Sequence, residues 1–338
     1  MENKITKRTD LLDRKGHVIK PGYATKMLYN YNKENIKAHP FALKEWDFYQ
    51  IYCGDYILKM TIGNISYIAN FSAELFNVTT KESYSFSRMK PLPLKSIVLP
   101  NDPEQPSLIR VEGKDYTMSF EVQKTHRQLK LTAKDDKIGA INIDIVLNND
   151  ITNEKMVIAT PFAKKTKFYL NCKENYFGGK GIIAFGQRRV ELNENSTAVL
   201  DWGRGVWPFS QEWFWGNGSA IIEGNHFGFN IGWGFGDLKN ASENMFFWNG
   251  KAYKLGRLHT EIDTTDYMKP WKFRDEEGKF QFVMTPIYDQ VTDTKVAFIQ
   301  MYCHQLFGSF DGVVMLPDGK KVIINNLLAF CEHAKNRW

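Results

Sequence analysis

Apolar and polar residues alternate through much of this chain, and the alternation leaves few fold classes open. In the segment GAINIDIVLN, residues 139–148, every second residue from Ile141 to Leu147 is a large aliphatic one. A period of two residues is typical of an antiparallel strand with one buried face. Similar runs recur along the chain between turn pairs such as Glu112-Gly113, whereas helical periodicity is scarce. The sequence therefore predicts an all-β protein.

An internal repeat divides the chain into two similar halves. The segment VIATPF at 157–162 returns as FVMTPI at 282–287. Three further matches share an offset of 131 residues, and they pair Cys172 with Cys303, Gly181 with Gly312, and Asp201 with Glu332. Each half is therefore expected to end in an apolar strand that finishes on a carboxylate.

The repeat also sets the expected domain boundaries in this chain of 338 residues. We expect an N-terminal arm over 1–40, a first β-barrel unit over 41–201, an aromatic seam over 202–211 and a second β-barrel unit over 212–338. The first twenty residues are rich in lysine and arginine, which predicts a solvated arm. Units of this size suit a closed up-and-down barrel or a strongly bent sheet.

The seam carries motifs that resemble a known family. D-W-G-R-G-V-W-P at 201–208, HQLFGSFDG at 304–312 and FCEHAKNRW at 330–338 are similar to motifs of a bacterial domain of unknown function, DUF2804. By architecture alone, the two units resemble tandem lipocalin-like proteins, which include carotenoid hydratases and pericyclase-type cyclases. This resemblance implies two calycin-type antiparallel barrels, packed across the seam, with an apolar cavity. It transfers no catalytic residue to this chain.

Several classes of function have no support in the sequence. The common nucleotide, serine hydrolase and zinc protease motifs are absent, and the seven histidines show no metal-ligand spacing, so we expect no metal and no cofactor. No basic stripe accompanies stacking aromatics, which argues against nucleic acid as a partner. No apolar run reaches 18 residues and no signal peptide is visible, so we expect a cytoplasmic protein without integral membrane association.

The seam holds the first candidate for chemistry. Asp201 and Arg204 are expected to pair across a tight turn, with positive φ at Gly203 and Gly205. This pair is either a clamp between the units or part of a site in which desolvation raises the pKa of the Asp201 carboxyl, making it a general acid. Glu332 is the competing acid.

Two further groups complete the predicted site. His304 replaces Lys173 in the repeat and is a third candidate for proton transfer. The expected ligand-binding residues are Trp202, Arg204, Trp207, Trp213, Trp215, Asn217 and Trp233. Trp233 belongs to HFGFNIGWGFG, where the aromatic residues through Phe235 share one face and glycines occupy the other, a pattern typical of a bend or a close approach.

Three hypotheses of function follow. The leading one is that the protein binds a lipid-like or isoprenoid-like small molecule and carries out acid-catalysed hydration or cyclisation on it. The second is a carbohydrate-binding or carbohydrate-active protein that uses exposed tryptophans as stacking platforms. The third is a structural or interaction protein in which the tryptophans are interface core. The oligomeric state is left open.

Overall fold

The computed structural model describes residues 2–93, 96–296 and 299–337. Nearly all regular structure in them is β, as predicted, and the helical elements of these residues are two 3-10 turns, Lys33–Asn35 and Pro40–Ala42. Among the described residues, no helix is long and apolar enough to cross a membrane.

Twenty-four strands are present in the described residues. Those of the first half are β1 Thr9–Asp10, β2 Gly22–Ala24, β3 Tyr29–Asn30, β4 Lys44–Cys53, β5 Tyr56–Asn64, β6 Ile68–Asn77, β7 Ser83–Pro91, β8 Ser107–Gly113, β9 Tyr116–Val122, β10 His126–Asp135, β11 Gly139–Asn148, β12 Met156–Pro161, β13 Phe168–Phe185, β14 Arg188–Glu191 and β15 Thr197–Val206. Those of the second half are β16 Ser210–Ile222, β17 Asn225–Trp233, β18 Met245–Trp248, β19 Lys251–Lys254, β20 Leu258–Glu261, β21 Trp271–Asp275, β22 Phe280–Val296, β23 Ile299–Met315 and β24 Lys321–Arg337.

The strands form two large antiparallel sheets with corresponding connectivity. The first has the order β7-β6-β5-β4-β15-β13-β11-β10-β9-β8, and β2, β12 and β14 pair at its margins. The second has the order β19-β18-β17-β16-β24-β23-β22-β21-β20. In each sheet the last strand of the unit returns to pair with its first strand, β15 with β4 and β24 with β16. Each sheet curls into an antiparallel half-barrel, which is the strongly bent sheet expected from the sequence.

Each half-barrel encloses its own apolar core, and the half-barrels pack against each other through their outer faces. The first core is aliphatic over β10 and β11, whereas the second contains many phenylalanines, including Phe229, Phe282 and Phe310. A separate cluster joins the units, with Phe76 and Val199 from the first and Phe307 and Phe330 from the second. This cluster defines the interface between the two units.

The amino-terminal segment is not the solvated arm that its charge suggested. Leu11, Leu12 and Tyr29 are almost completely buried and belong to the first core. Short pairings hold this segment in place, because β1 pairs with β3 and β2 adds to β12. The lysines and arginines that dominate the composition lie mainly at the surface, while the intervening apolar residues supply the burial that fixes the segment.

The seam is also more regular than expected. Asp201 to Val206 continue β15 as a paired strand, so Asp201 and Arg204 lie on opposite faces and do not form the predicted pair. Gly203 and Gly205 do not have positive φ. Gly203 is instead required by close packing, because a Cβ there would lie 2.3 Å from Cζ2 of Trp46.

The glycine-rich run after the seam contains the close approach that was predicted, but its aromatic residues do not all share one face. Gly228 marks a close approach, since a Cβ there would lie 2.7 Å from the Cβ of Asn175 in the first unit. β17 ends at Trp233, and Gly234 and Gly236 then adopt positive φ. This turn sends Phe235 toward the first unit, so Trp233 and Phe235 do not share a face as the alternation suggested.

Candidate functional site

A cavity of about 390 Å³ lies between the outer faces of the two units. Its wall combines seven aromatic side chains with six charged ones and with several amide, hydroxyl and thiol groups. The aromatic members are Trp46, Phe48, Tyr169, Trp207, Trp213, Trp215 and Phe235. Both units contribute to the wall, so the candidate site is the cleft between the half-barrels and not the interior of either one.

The aromatic wall is tightly interlocked. The ring centroids of Trp46 and Trp207 are 5.4 Å apart, edge to face, and Tyr169 stacks on Trp46 at 5.9 Å. Phe235 reaches across from the second unit and contacts Tyr169 and Trp213 at 5.0 and 5.3 Å. These stacked and edge-to-face contacts are geometries that aromatic rings prefer, so the rings of the wall support one another without a ligand.

Two carboxylates occupy equivalent positions in the two units, and each accepts a hydrogen bond from a tryptophan. Trp46 Nε1 donates to Asp201 Oδ2 at 3.1 Å, and Trp213 Nε1 donates to Glu332 Oε1 at 3.0 Å. The sheet register explains the equivalence, since Trp46 pairs with Gly203 and Trp213 with Ala334, each two residues beyond the carboxylate. The structure therefore supports the repeat relationship that the sequence predicted between Asp201 and Glu332.

The surroundings of Asp201 are strongly polar. Asn171 Nδ2 donates to Asp201 Oδ1 at 2.6 Å, and Lys173 Nζ lies 3.4 Å from the same oxygen. The Lys173 ammonium also lies 3.5 Å from Glu243 and 3.6 Å from the centroid of the Trp215 ring. The ammonium is thus held by two carboxylates and an aromatic face, which is an arrangement that compensates for its burial.

The surroundings of Glu332 are less polar. Its second oxygen accepts a hydrogen bond from Gln305 Nε2 at 3.3 Å and lies 3.9 Å from Cys303 Sγ. Burial raises the pKa of the Glu332 carboxyl above its usual value of 4.5, while the bond from Trp213 and the charge of Lys173 oppose this rise. Glu332 is therefore the carboxyl on the cavity wall whose environment favours the protonated form.

A second polar group lies at the part of the cavity formed by β5, β6 and β22. Lys59 Nζ lies 2.7 Å from Glu74 and donates to the amide oxygens of Gln290 and Gln305 at 2.6 and 3.0 Å. Gln305 therefore links this group to Glu332 by accepting from Lys59 and donating to the carboxylate. The arrangement fixes which way the Gln305 amide points.

The structure brings five of the predicted site residues together at the cavity. They are Asp201, Glu332, Trp207, Trp213 and Trp215. Trp202 and Arg204 lie on the other face of β15, where Arg204 stacks on Trp202 and binds Asp47 at 2.8 Å. Asn217 is buried beside the interface and bonds to Asn175 and Asn230.

Trp233 and His304 also lie outside the cavity wall. Trp233 stacks on Phe214 in the second core, with centroids 5.0 Å apart. His304 points to the opposite side of β23 from Gln305, where its two ring nitrogens lie 2.7 Å from Asp289 and Tyr302. The sheet register pairs Lys173 with Asp201 and Gln305 with Glu332, so Gln305, and not His304, is the counterpart of Lys173.

Sequence reasoning missed several polar residues that line the cavity from distant strands and from the loop before β18. They are Lys59, Glu74, Lys173, Glu243, Gln290 and Gln305. The repeat carried a signal for two of them. If the sequence alignment of the two halves had been shifted by one residue here, it would have matched Lys173 with Gln305, the observed strand partners of Asp201 and Glu332. Among the described residues, no group of histidine, cysteine and acidic side chains is arranged to hold a metal ion.

Residues 2–338 match the family described as Domain of unknown function (DUF2804). The chain belongs to this family. No curated protein is significantly similar to it in sequence.

Solved structures of other proteins share the fold. Kievitone hydratase from Nectria haematococca is 12% identical over 87% of this chain and 88% of its own, with a TM-score of 0.51. CghA solved with Sch210972 is 9% identical over 97% of both chains, with a TM-score of 0.53. A second structure of CghA is 10% identical over 98% of this chain and 97% of its own, with a TM-score of 0.54. This DUF2804 protein is therefore a tandem lipocalin-like protein in fold.

Proposed function

We propose that this protein binds a hydrophobic small molecule in the cavity between its half-barrels and protonates it, which leads to hydration or cyclisation without a cofactor. The observation that carries the proposal is Glu332, a buried carboxyl with a raised pKa on the wall of an aromatic cavity. A general acid is most effective when its pKa lies near the working pH, and burial moves this carboxyl in that direction.

The shape and lining of the cavity favour a hydrophobic ligand. A volume of about 390 Å³ lies within the range of small-molecule sites, which are mostly apolar with a few polar anchors. Four tryptophans face the cavity, and two of them, Trp46 and Trp213, already donate their indole N–H groups to carboxylates. Their ring faces and edges, not their N–H groups, are thus what a ligand would contact.

The comparisons support the class of reaction. One protein of the same fold is named as a hydratase, and another was solved with the compound Sch210972. Both are far below the identity at which residue roles transfer, so the roles of Asp201 and Glu332 rest on this structure alone. The carbohydrate hypothesis has less support, because Trp207 and Trp215 are buried in a cavity wall and do not form an exposed stacking platform.

Filling the cavity tests binding. Thr61 lines the cavity on β5, so Thr61→Trp is expected to reduce the affinity for 1-anilinonaphthalene-8-sulfonate at least about tenfold, a loss of about 1.4 kcal/mol. Thr117→Trp on β9, away from the cavity, is the matched control and is expected to bind this probe like the wild type. Fluorescence titration measures both. Equal affinity in the two variants would contradict the proposed site, and retention on a polysaccharide gel without probe binding would favour the carbohydrate hypothesis.

The acid is tested separately. Native mass spectrometry of protein purified from its source identifies a co-purifying molecule, which then serves as the ligand in a turnover assay. Glu332→Gln keeps the acceptor for Trp213 but has no proton to donate, so it is expected to bind this molecule and convert it at least about 100-fold more slowly. Conversion at the wild-type rate would remove Glu332 from the mechanism while leaving the binding proposal intact.

A further inference from the structure

The two duplicated carboxylates differ in one strand partner. On β15, Asp201 pairs across the ladder with Lys173, and on β24, Glu332 pairs with Gln305. The two positions are equivalent, because the Trp46 indole donates to Asp201 and the Trp213 indole donates to Glu332 from corresponding positions on the neighbouring strands. One member of the duplicated pair therefore has a cation beside it, and the other has a neutral amide.

This difference is electrostatic and local. Lys173 Nζ lies 3.4 Å from Asp201, whereas the nearest donors to Glu332 are the neutral groups of Trp213, Gln305 and Cys303. A nearby cation stabilises a carboxylate anion, and burial without a cation favours the neutral acid. Two carboxyls that began as copies are thus held in different environments on the wall of one cavity.

We propose that the duplicated carboxylates have diverged into a base and an acid, Asp201 and Glu332, and that Lys173 and Gln305 are the positioning residues that decide which is which. The inference rests on the proposed function and goes beyond it by assigning the second carboxylate. Neither positioning residue is required to contact the ligand.

In the proposed hydration of an alkene, water is the co-reactant. The Glu332 carboxyl donates its proton to one carbon of an alkene, the π bond breaks and its electrons form the new C–H bond. A water oxygen attacks the resulting cation at the other carbon, and one water proton passes to the Asp201 carboxylate. The product is an alcohol, and solvent then returns the proton from Asp201 to Glu332. In cyclisation a second double bond replaces water as nucleophile, and Asp201 accepts the proton lost from carbon.

Other titratable groups share the cavity wall with the two carboxyls. From the strands and loops packed around them these are Lys59, Glu74, Tyr169, Lys173, Glu243 and Cys303. Lys59 is neutralised by Glu74 at 2.7 Å, and burial raises the pKa values of Tyr169 and Cys303, so these two remain neutral. Lys173, which also pairs with Glu243 at 3.5 Å, forms an ion pair with Asp201, whereas its charge reaches Glu332 without direct contact, and this distinguishes the two sites.

Titration of the ligand-free protein tests the inference directly. With ¹³C-labelled aspartate and glutamate side chains, nuclear magnetic resonance follows each carboxyl, and Asp201→Asn and Glu332→Gln assign the signals. In the wild type, Glu332 is expected to take up its proton first as the pH falls. Gln305→Lys is expected to lower the pKa of Glu332 by about one to three pH units.

Variants of Lys173 keep the test decisive if Gln305→Lys fails to fold. Lys173→Gln is expected to narrow the separation, because the lost charge pairs with Asp201 at 3.4 Å and acts on Glu332 without such a pair, and Lys173→Arg is expected to restore it because the charge returns. Unchanged separation in Lys173→Gln, or a Glu332 that titrates at its ordinary value in the wild type, would overturn the inference. The titration is made without a ligand. If the two carboxyls titrate as expected but the fluorescent probe does not bind in the cavity, the proposed function is rejected and this inference is not.

Discussion

Trp46 and Gly203 show how a single residue shapes the cavity wall. The indole of Trp46 lies directly over Gly203 on the neighbouring strand, and this position lets its N–H reach Asp201 at 3.1 Å. Any side chain at 203 would displace the ring and break the bond to the carboxylate. The glycine in the D-W-G-R-G motif is therefore explained by the ring that it accommodates, not by turn geometry.

Substitution of Gly203 tests this explanation. Gly203→Ala is expected to lower the free energy of unfolding by about 1–3 kcal/mol, because the added Cβ overlaps the indole. Gly63, which pairs with Trp46 from the other side, is the control, since a Cβ there would lie 3.7 Å from its nearest neighbour. Gly63→Ala is expected to be neutral or stabilising by up to about 1 kcal/mol. Urea denaturation compares them, and equal losses would contradict the packing argument.

The raised pKa of Glu332 has a consequence for stability. Below pH 4.5, the carboxyl is neutral in both folded and unfolded chains, and its burial carries no ionic penalty. As the pH rises, the unfolded chain loses this proton at a lower pH than the folded chain does. The free energy of unfolding therefore falls between the unfolded pKa of Glu332 and its higher folded pKa. Glu332→Gln has no such proton.

We therefore expect the stability of Glu332→Gln relative to the wild type to increase between pH 4 and pH 7, by about 1.4 kcal/mol for each unit by which the pKa is raised. Urea denaturation at several pH values measures the difference. A relative stability that does not change with pH would mean that Glu332 titrates normally in the folded protein.

At the scale of the element, β13 links the first core to the cavity. Cys172 and Glu174 face the interior of the first half-barrel, whereas Asn171 and Lys173 face the second unit. A shift in register between Glu174 and Phe177 then reverses this pattern, so Phe177 returns to the interior. One strand therefore supplies both core residues and site residues.

This shift in register explains which features of the fold could be predicted from the sequence and which could not. Strict alternation identified β11 with its observed bounds, because that strand is regular and half-buried. The repeat aligned Cys172 with Cys303 by letter, yet Cys172 faces a core and Cys303 faces the cavity. A bulge changes which face each later residue occupies without leaving a mark in the composition, so the counterpart of Lys173 was misplaced by one residue.

The interior face of β13 provides a test of its own. Glu174 lies 3.2 Å from Lys155 and 3.5 Å from Arg127, and all three side chains are about 1% exposed. Glu174→Gln removes the carboxylate beside buried Arg127, whereas Lys155 keeps Glu104 at 2.7 Å, and it is expected to cost about 3–5 kcal/mol. Glu112→Gln removes the exposed partner of Arg110 and is expected to cost less than about 1 kcal/mol. Equal costs in urea denaturation would show that the buried charges are not stabilised by their pairing.

At the scale of the whole molecule, the outer faces of two half-barrels form one interface and one cavity. Sequence reasoning placed the tryptophans at the junction because they follow one another along the chain. It could not place Lys59 or Gln290 there, because β5 and β22 meet only after both sheets have curled and packed. Such contacts depend on the relative position of the units, which no local pattern encodes.

The interface is expected to be a major source of stability. Phe307 is fully buried, with its ring 5.4 Å from Phe76 of the other unit. Phe307→Ala is expected to cost about 3–5 kcal/mol and to leave a single unfolding transition, because the shared core couples the units. Phe41→Ala, at an exposed position, is expected to change stability by less than about 1 kcal/mol. Two separate transitions in the wild type would contradict this coupling.

The most direct measurement is a crystal structure of the full chain with 1-anilinonaphthalene-8-sulfonate bound. We expect the probe to lie between the half-barrels, against Trp213 and Trp215, with an atom in contact with the Glu332 carboxyl. A probe bound inside either half-barrel, or bound elsewhere while the cavity stays empty, would show that the cavity between the units is not the binding site.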